Sequence, residues 1–112
     1  LEPRRTAEKA LVAVIQEAIR LGDVLTALAD PSRRRVVATL ARLPEGSERT
    51  CASFRLPVGK ASLTHHFRVL REAGLIRQVD RGNSRAATLC RDDIEKRFPG
   101  LLEILAKEAP DD

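Results

Sequence analysis

The segment of residues 60–74 constrains the fold most, because its apolar residues recur with helical spacing and it ends at a glycine. At about 100° per residue, one narrow stripe collects four residues, namely Leu63, Phe67, Leu70 and Gly74. Glycine readily adopts the left-handed conformation with which many helices end, so Gly74 marks a natural stop. We therefore predict a helix from Lys60 to about Ala73 that buries this stripe.

The opposite side of this predicted helix is small, polar or basic. A helix that reads a DNA major groove needs such a face, because bulky apolar groups obstruct docking against base edges. The helix N-terminus also favours a phosphate group. The candidate DNA contacts on this face are Lys60, Ser62, Thr64, His65 and Arg68. A solvated helix face with scattered charge is the alternative interpretation of the same pattern.

The neighbouring segments predict a winged helix-turn-helix. Residues 48–54 resemble a short helix and residues 56–59 a turn, so the helix-turn-helix spans about 48–74. Strands are predicted at 75–79 and 86–90, joined by a turn at Gly82-Asn83, and together they form a wing at about 75–90. The wing carries three candidate contacts to DNA phosphates or to the minor groove, namely Arg81, Asn83 and Arg85. A plain surface hairpin is the alternative.

The rest of the chain is predicted to be helical, which gives a mainly α fold with a small β-hairpin. An amphipathic helix is expected at 6–21, and Gly22-Asp23 interrupts it before a short helix at 24–29. Asp30-Pro31 is a strong helix start, and the helix that follows runs to about Leu43. A last helix begins near Asp92, breaks at Pro99-Gly100 and resumes to about Lys107.

Composition favours one soluble domain with an anionic partner. The chain has 112 residues, 43% of them hydrophobic and 32% charged, and its formal net charge is +4. We expect a single domain over 1–112 in the cytoplasm, because no apolar run approaches the roughly 18 residues of a membrane span and the N-terminus lacks a signal-peptide core. Since the sequence has neither a glycine-rich phosphate loop nor a catalytic triad pattern, we do not expect an enzyme.

The two cysteines, Cys51 and Cys90, are too few and too far apart in sequence for a disulfide framework. They are candidates for a redox switch, because their neighbours Arg49 and Arg91 can supply the positive charge that makes a thiol reactive. Free cysteines that are simply buried in the core are the alternative. A small-molecule effector, or no effector at all, is equally compatible with the sequence.

Three segments, ALADPSRRRVVATL, SLTHHFRVLREAGLI and RGNSR, resemble in order and spacing the ArsR-type family of bacterial winged-helix repressors. The resemblance covers about residues 24–98. It implies a homodimer joined through the first and last helices, here 6–21 and 92–107, that binds the two halves of an inverted repeat in double-stranded DNA. A partner helix would then cover the apolar stripes of these helices, which on the last helix consist of Ile94, Phe98, Leu101 and Leu105.

The same resemblance bears on other residues. In the family, the residues that match Arg33–Arg35 mostly cap and pack the second helix, and the one that matches His66 is mainly structural. Many relatives bind metals through a Cys-x-Cys pair on the short helix or through Asp, His and Glu on the last helix. Here the first stretch is ERTCASF, with Cys51 alone, and the last helix has no histidine. We therefore expect no metal and no other cofactor. The rival function is a winged-helix module for protein contacts without a DNA role.

Overall fold

A computed structural model describes residues 19–108 of the chain, so most of the helix predicted at 6–21 lies outside the described residues. The described part contains five α-helices, one 3₁₀ helix and one antiparallel sheet with the strand order β1-β3-β2. The helices are α1 (Leu21–Ala29), α2 (Pro31–Arg42), α3 (Lys60–Glu72), α4 (Arg91–Arg97) and α5 (Leu101–Glu108). The strands are β1 (Glu48–Thr50), β2 (Ile76–Asp80) and β3 (Arg85–Leu89), and the 3₁₀ helix is Cys51–Phe54.

The predicted interruption at Gly22-Asp23 is wrong, because α1 begins at Leu21 and runs through both residues. A glycine in the first turn lowers the stability of a helix only slightly, and an aspartate there complements the positive end of the helix dipole. The predicted restart at Asp30-Pro31 is confirmed. Asp30 precedes the first residue of α2, and its carboxylate Oδ2 accepts a hydrogen bond from the Arg33 backbone N–H at 3.0 Å.

The end of α3 matches the prediction closely. Gly74 has φ +84°, and the backbone N–H groups of Gly74 and Leu75 donate to the carbonyls of Arg71 and Leu70. This is the Schellman pattern, in which the residues at the two ends of the longer bond also make an apolar contact. Leu70 and Leu75 are both fully buried. A Cβ atom at Gly74 would lie 2.9 Å from the Ile19 side chain, so close approach excludes a larger residue as well.

The prediction of one short helix over 48–54 is wrong in its first half. Glu48–Thr50 form β1, which pairs with β3 in the register Glu48↔Thr88, Arg49↔Ala87 and Thr50↔Ala86. Only Cys51–Phe54 are helical, as a 3₁₀ turn. Pairing with the free edge of β3, a tertiary interaction, overrides the local preference of this segment for a helix. A strand of three residues is also too short to show a recognisable sequence pattern.

The wing is a hairpin shifted by about one residue from the predicted strands. β2 and β3 pair from Ile76↔Leu89 to Asp80↔Arg85. Residues 81–84 close the hairpin, with Gly82 at φ +88° and the Asp80 carboxylate accepting from the Gly82 N–H at 3.0 Å. β3 is therefore the central strand of the sheet, which explains why Ala86 and Ala87 are buried.

The apolar stripe of the last helix packs inside the protomer, which corrects the expectation that a partner covers it. Ile94 is 0% exposed and Leu105 8%, and Phe98 and Leu101 are half-buried against the same core. The break predicted at Pro99-Gly100 is confirmed, since α4 ends at Arg97 and α5 starts at Leu101. Of the large apolar residues on α5, Ile104 is the exposed one, at 59%.

Candidate nucleic-acid interface

All five predicted contact residues of α3 are exposed in the structure. We call this set the reading face, and it consists of Lys60, Ser62, Thr64, His65 and Arg68. Phe67 and Leu70 on the opposite side are 1% and 0% exposed, so the predicted division of the helix is confirmed. Within the face, Arg68 Nη2 donates to His65 Nδ1 at 3.3 Å, which holds these two side chains together.

His66 connects α3 to the start of α2. Arg33 Nη1 lies 3.1 Å from His66 Nδ1, and His66 Nε2 lies 3.9 Å from Asp30 Oδ2. A guanidinium group only donates hydrogen bonds, so Nδ1 accepts and the ring proton sits on Nε2, facing the carboxylate. The His66 side chain is only 12% exposed. His66 therefore helps to fix the orientation of α3 relative to the start of α2, in line with the structural role predicted for it.

Asp30 stays ionised in this cluster. Its partial burial favours the neutral form, but the hydrogen bond from the Arg33 N–H, the His66 ring with its Nε2 towards the carboxylate and the charge of Arg33 outweigh that effect. Together they hold the pKa of Asp30 below its ordinary value. The carboxylate thus stabilises the N-terminus of α2 and faces the inner side of α3 at neutral pH.

Three arginines bind the carbonyl ends of neighbouring helices, and we call them the capping arginines. Arg33 donates from Nε to the Ala27 carbonyl at 2.8 Å and from Nη2 to that of Thr26. Arg34 donates to the carbonyls of Leu28 and Ala29. Arg91 donates to the carbonyls of Leu40, Ala41 and Leu43 at the end of α2. Cations suit these positions, because the last carbonyls of a helix are unpaired and carry partial negative charge.

Of the two arginines at the tip of the wing, Arg81 is held by an ion pair. Arg81 forms a two-pronged ion pair with Glu48 on β1, with Nε–Oε2 at 2.8 Å and Nη2–Oε1 at 2.6 Å. This pairing lowers the pKa of Glu48 and raises that of Arg81. Asn83 and Arg85 are exposed. Sequence reasoning missed Glu48, because the partner lies 33 residues away and joins the wing only through β1.

The cysteines have other neighbours than their sequence suggests. Arg49 bonds to Ser53 and lies 4.7 Å from the Phe54 ring centroid. The positive charge that acts on Cys51 comes from Arg85, and the one that acts on Cys90 comes from Arg77. Burial is nevertheless the largest effect and raises the pKa of both thiols. A higher pKa leaves less of the reactive thiolate at neutral pH.

The sheet register also separates the two cysteines. Thr50, the residue before Cys51, pairs with Ala86, which lies four residues from Cys90 along the same chain. That separation corresponds to about 13 Å along a strand, whereas a disulfide needs Cα atoms within about 7 Å. The possible redox role of Cys51 and Cys90 therefore does not extend to a bond between them within this fold.

Within residues 19–108, no three His, Cys, Asp or Glu side chains come together in a group that could hold a metal ion. In the same part of the chain, no helix is long and apolar enough to span a membrane.

Comparison with known proteins agrees with this geometry. A family model described as a helix-turn-helix domain matches residues 28–79. An uncharacterized HTH-type transcriptional regulator of Bacillus subtilis, YceK, is 31% identical over 85 residues, which cover 74% of this chain and 83% of the relative. The crystal structure of an ArsR family transcriptional regulator is 26% identical, with a TM-score of 0.60 over 75% of this chain and 90% of that one. The chain belongs to the ArsR-type helix-turn-helix regulators.

A second solved structure, a possible transcriptional regulator for arsenical resistance, is 28% identical and has a TM-score of 0.56 over 80% of this chain and 98% of that one. The relatives are transcription regulators, so this ArsR-type protein is a DNA-binding regulator with a winged helix-turn-helix fold. In the order expected of a helix-turn-helix and wing, the 3₁₀ helix is followed by a turn, by α3 and by the β2–β3 hairpin. Contact between DNA and the individual residues of the reading face remains a prediction.

Proposed function

We propose that the protein is a homodimeric repressor that binds an inverted-repeat operator through two reading faces. The observation that carries this proposal is the reading face itself. Its five side chains are small, polar or basic and exposed, while the buried stripe of α3 anchors the helix in the core. A major groove admits a helix with this profile, and a flanking wing reaches the adjacent phosphates or the minor groove.

The dimer is supported by apolar side chains that the described protomer leaves in water. Leu21 and Leu25 on α1 are 51% and 59% exposed, and Ile104 on α5 is 59% exposed. A partner subunit that covered these side chains would remove their apolar surface from water, which favours association. Sedimentation equilibrium tests this point. We expect a dimer for the unmodified chain and a shift towards monomer for the Leu25→Ser, Ile104→Ser double variant. An unmodified chain that stays monomeric at micromolar concentration contradicts the proposed dimer.

Selection of bound duplexes from a random pool tests DNA recognition most directly. We expect an inverted repeat whose half-site centres lie about one helical turn, on the order of 10 bp, apart. The observed binding constant should fall linearly with salt on a double-logarithmic plot, because phosphate contacts release counterions. Binding that is undetectable at low salt, or that does not depend on salt concentration, contradicts the proposal.

Repression is tested separately from binding. A reporter gene is placed behind a promoter that overlaps the selected inverted repeat, and expression is measured with and without the protein. A dimer bound there excludes RNA polymerase, so we expect lower expression, and a scrambled repeat should remove the effect. Higher expression on the intact repeat identifies an activator and contradicts the repressor assignment.

A further inference from the structure

A cleft of about 460 Å³ lies between α3 and the wing, and its lining combines candidate DNA contacts with residues that the proposed function does not use, such as Phe67, Arg71 and Gln78. Its volume falls within the range of small-molecule sites. Four cationic side chains line it, Lys60, Arg68 and Arg71 on α3 and Arg85 on β3. None of the described residues that line the cleft is acidic. The rim therefore favours a negatively charged occupant.

The deeper part of the cleft is apolar. Phe67 is buried, Leu63 is half-buried, and Cys51 presents its half-buried thiol from the 3₁₀ helix. Gln78 on β2 bridges the two sides, because its Oε1 accepts from Arg71 Nη1 at 2.8 Å while its Nε2 lies 3.8 Å from Cys51 Sγ. An occupant with a flat or branched apolar body gains by covering these side chains, and its anionic end then reaches the rim.

We infer that this cleft binds a small amphiphilic organic anion, such as an aromatic carboxylate or sulfonate, and that the bound anion competes with DNA. The competition rests on the proposed function, because Lys60, Arg68 and Arg85 are both rim residues and candidate DNA contacts. A bound anion offsets part of their positive charge and fills the space between α3 and the wing. The anion would thus act as an inducer that releases the operator.

Anilinonaphthalene sulfonate is a suitable probe, since it is an aromatic sulfonate whose fluorescence rises in apolar surroundings. We expect saturable binding of one dye per chain, and amide shifts in a protein NMR spectrum that centre on Cys51, Leu63 and Gln78. Dye that binds without saturation, or shifts that centre on the exposed apolar residues Leu25 and Ile104, overturn the site.

Two matched variants distinguish the effect of a cation at the rim of the cleft from the effect of net charge on dye binding. Arg71→Gln removes a rim cation that is not a proposed DNA contact, and Arg97→Gln removes an exposed cation on α4 outside the lining of the cleft. We expect Arg71→Gln to weaken dye binding about five-fold, as the loss of one charge-assisted contact near the surface does. Arg97→Gln should leave it unchanged, and equal weakening by both variants overturns the proposal.

Competition is measured by the anisotropy of a labelled duplex that the protein binds. Added dye should raise the apparent Kd of the duplex linearly with the concentration of free dye, and the slope should be smaller in Arg71→Gln. Dye and duplex that bind together without mutual effect overturn the regulatory part. If no duplex binds but the dye still maps to the cleft, the proposed DNA function fails while the anion site stands.

Discussion

The start of α2 and the outward side of α3 are both rich in basic residues, yet the fold directs them oppositely. Arg33 and Arg34 turn back onto the carbonyl end of α1. Lys60 and Arg68 project from the core into solvent. The difference is set by what lies next to each group of side chains. The start of α2 lies against the end of α1, which offers unpaired carbonyls, whereas the contact residues of α3 are exposed.

This contrast shows that arginine density alone does not locate a nucleic-acid interface. The capping arginines satisfy backbone acceptors that would otherwise be unpaired, so their removal affects stability first. The two basic residues of the reading face, Lys60 and Arg68, are exposed, so their removal affects binding first. The following variants test that division.

The largest expected effect on folding comes from Arg33→Ala. The side chain donates to two carbonyls of α1 and to His66, so we expect the free energy of unfolding to fall by about 2 kcal/mol. Urea denaturation measures the change, and Arg20→Ala serves as the control because Arg20 is exposed. Equal and small effects in both variants would remove the distinction between capping and exposed arginines.

Arg68→Ala should do the reverse. We expect the Kd for operator DNA to rise about tenfold or more, with stability little changed, because the side chain is exposed and its hydrogen bond goes to His65 on the same helix. His65→Ala should weaken binding as well. Fluorescence anisotropy at fixed salt measures both, with Arg97→Ala as the charge-matched control. Unchanged affinity in Arg68→Ala and His65→Ala would refute the assignment of the reading face.

Variants of Asp30 test the contact between the start of α2 and the inner side of α3. Asp30→Ala removes the N-terminal cap of α2 and should cost about 1 kcal/mol of unfolding free energy. Asp30→Asn keeps an acceptor at this position and should cost less. The two substitutions are compared by urea denaturation at neutral pH, and equal losses would show that the charge, which both remove, matters more than the cap.

The same carboxylate gives a pH dependence of known sign. The pKa of Asp30 is lower in the folded protein, so its contribution to stability is complete above the unfolded pKa of about 3.9. It is lost as the pH falls through the folded pKa. Thermal unfolding across acid pH should therefore show a shallower decline in Asp30→Asn than in the unmodified protein, and parallel curves would contradict this.

The smallest effect is expected at the tip of the wing. Arg81 is held by Glu48 at the surface, so Arg81→Ala should leave stability without measurable change and should weaken DNA binding less than Arg85→Ala. Anisotropy compares the two variants. If Glu48→Gln, which releases Arg81, leaves DNA affinity unchanged while Arg81→Ala lowers it strongly, the ion pair does not restrain Arg81.

Much of the site follows from sequence, because it lies on one regular helix. The spacing of Leu63, Phe67 and Leu70 fixes which side of α3 is buried, and the exposed side follows from it. The cleft, however, brings together Cys51, α3 and the wing, and no local pattern relates these three segments. The neighbours of each thiol were mispredicted for the same reason, since adjacency along the chain does not give adjacency across a sheet.

By itself, the sequence determined the features that depend on a few neighbouring residues: the Asp30-Pro31 start of α2, the Gly74 stop of α3, the hairpin turn and the buried stripe of the reading helix. Each is set by backbone conformation or by helical periodicity, which are local. Only the tertiary structure decided that Glu48–Thr50 form a strand, that Glu48 holds Arg81 and that Arg33 turns inward. These features depend on partners that are distant in sequence, and the partners exist only once the chain has folded.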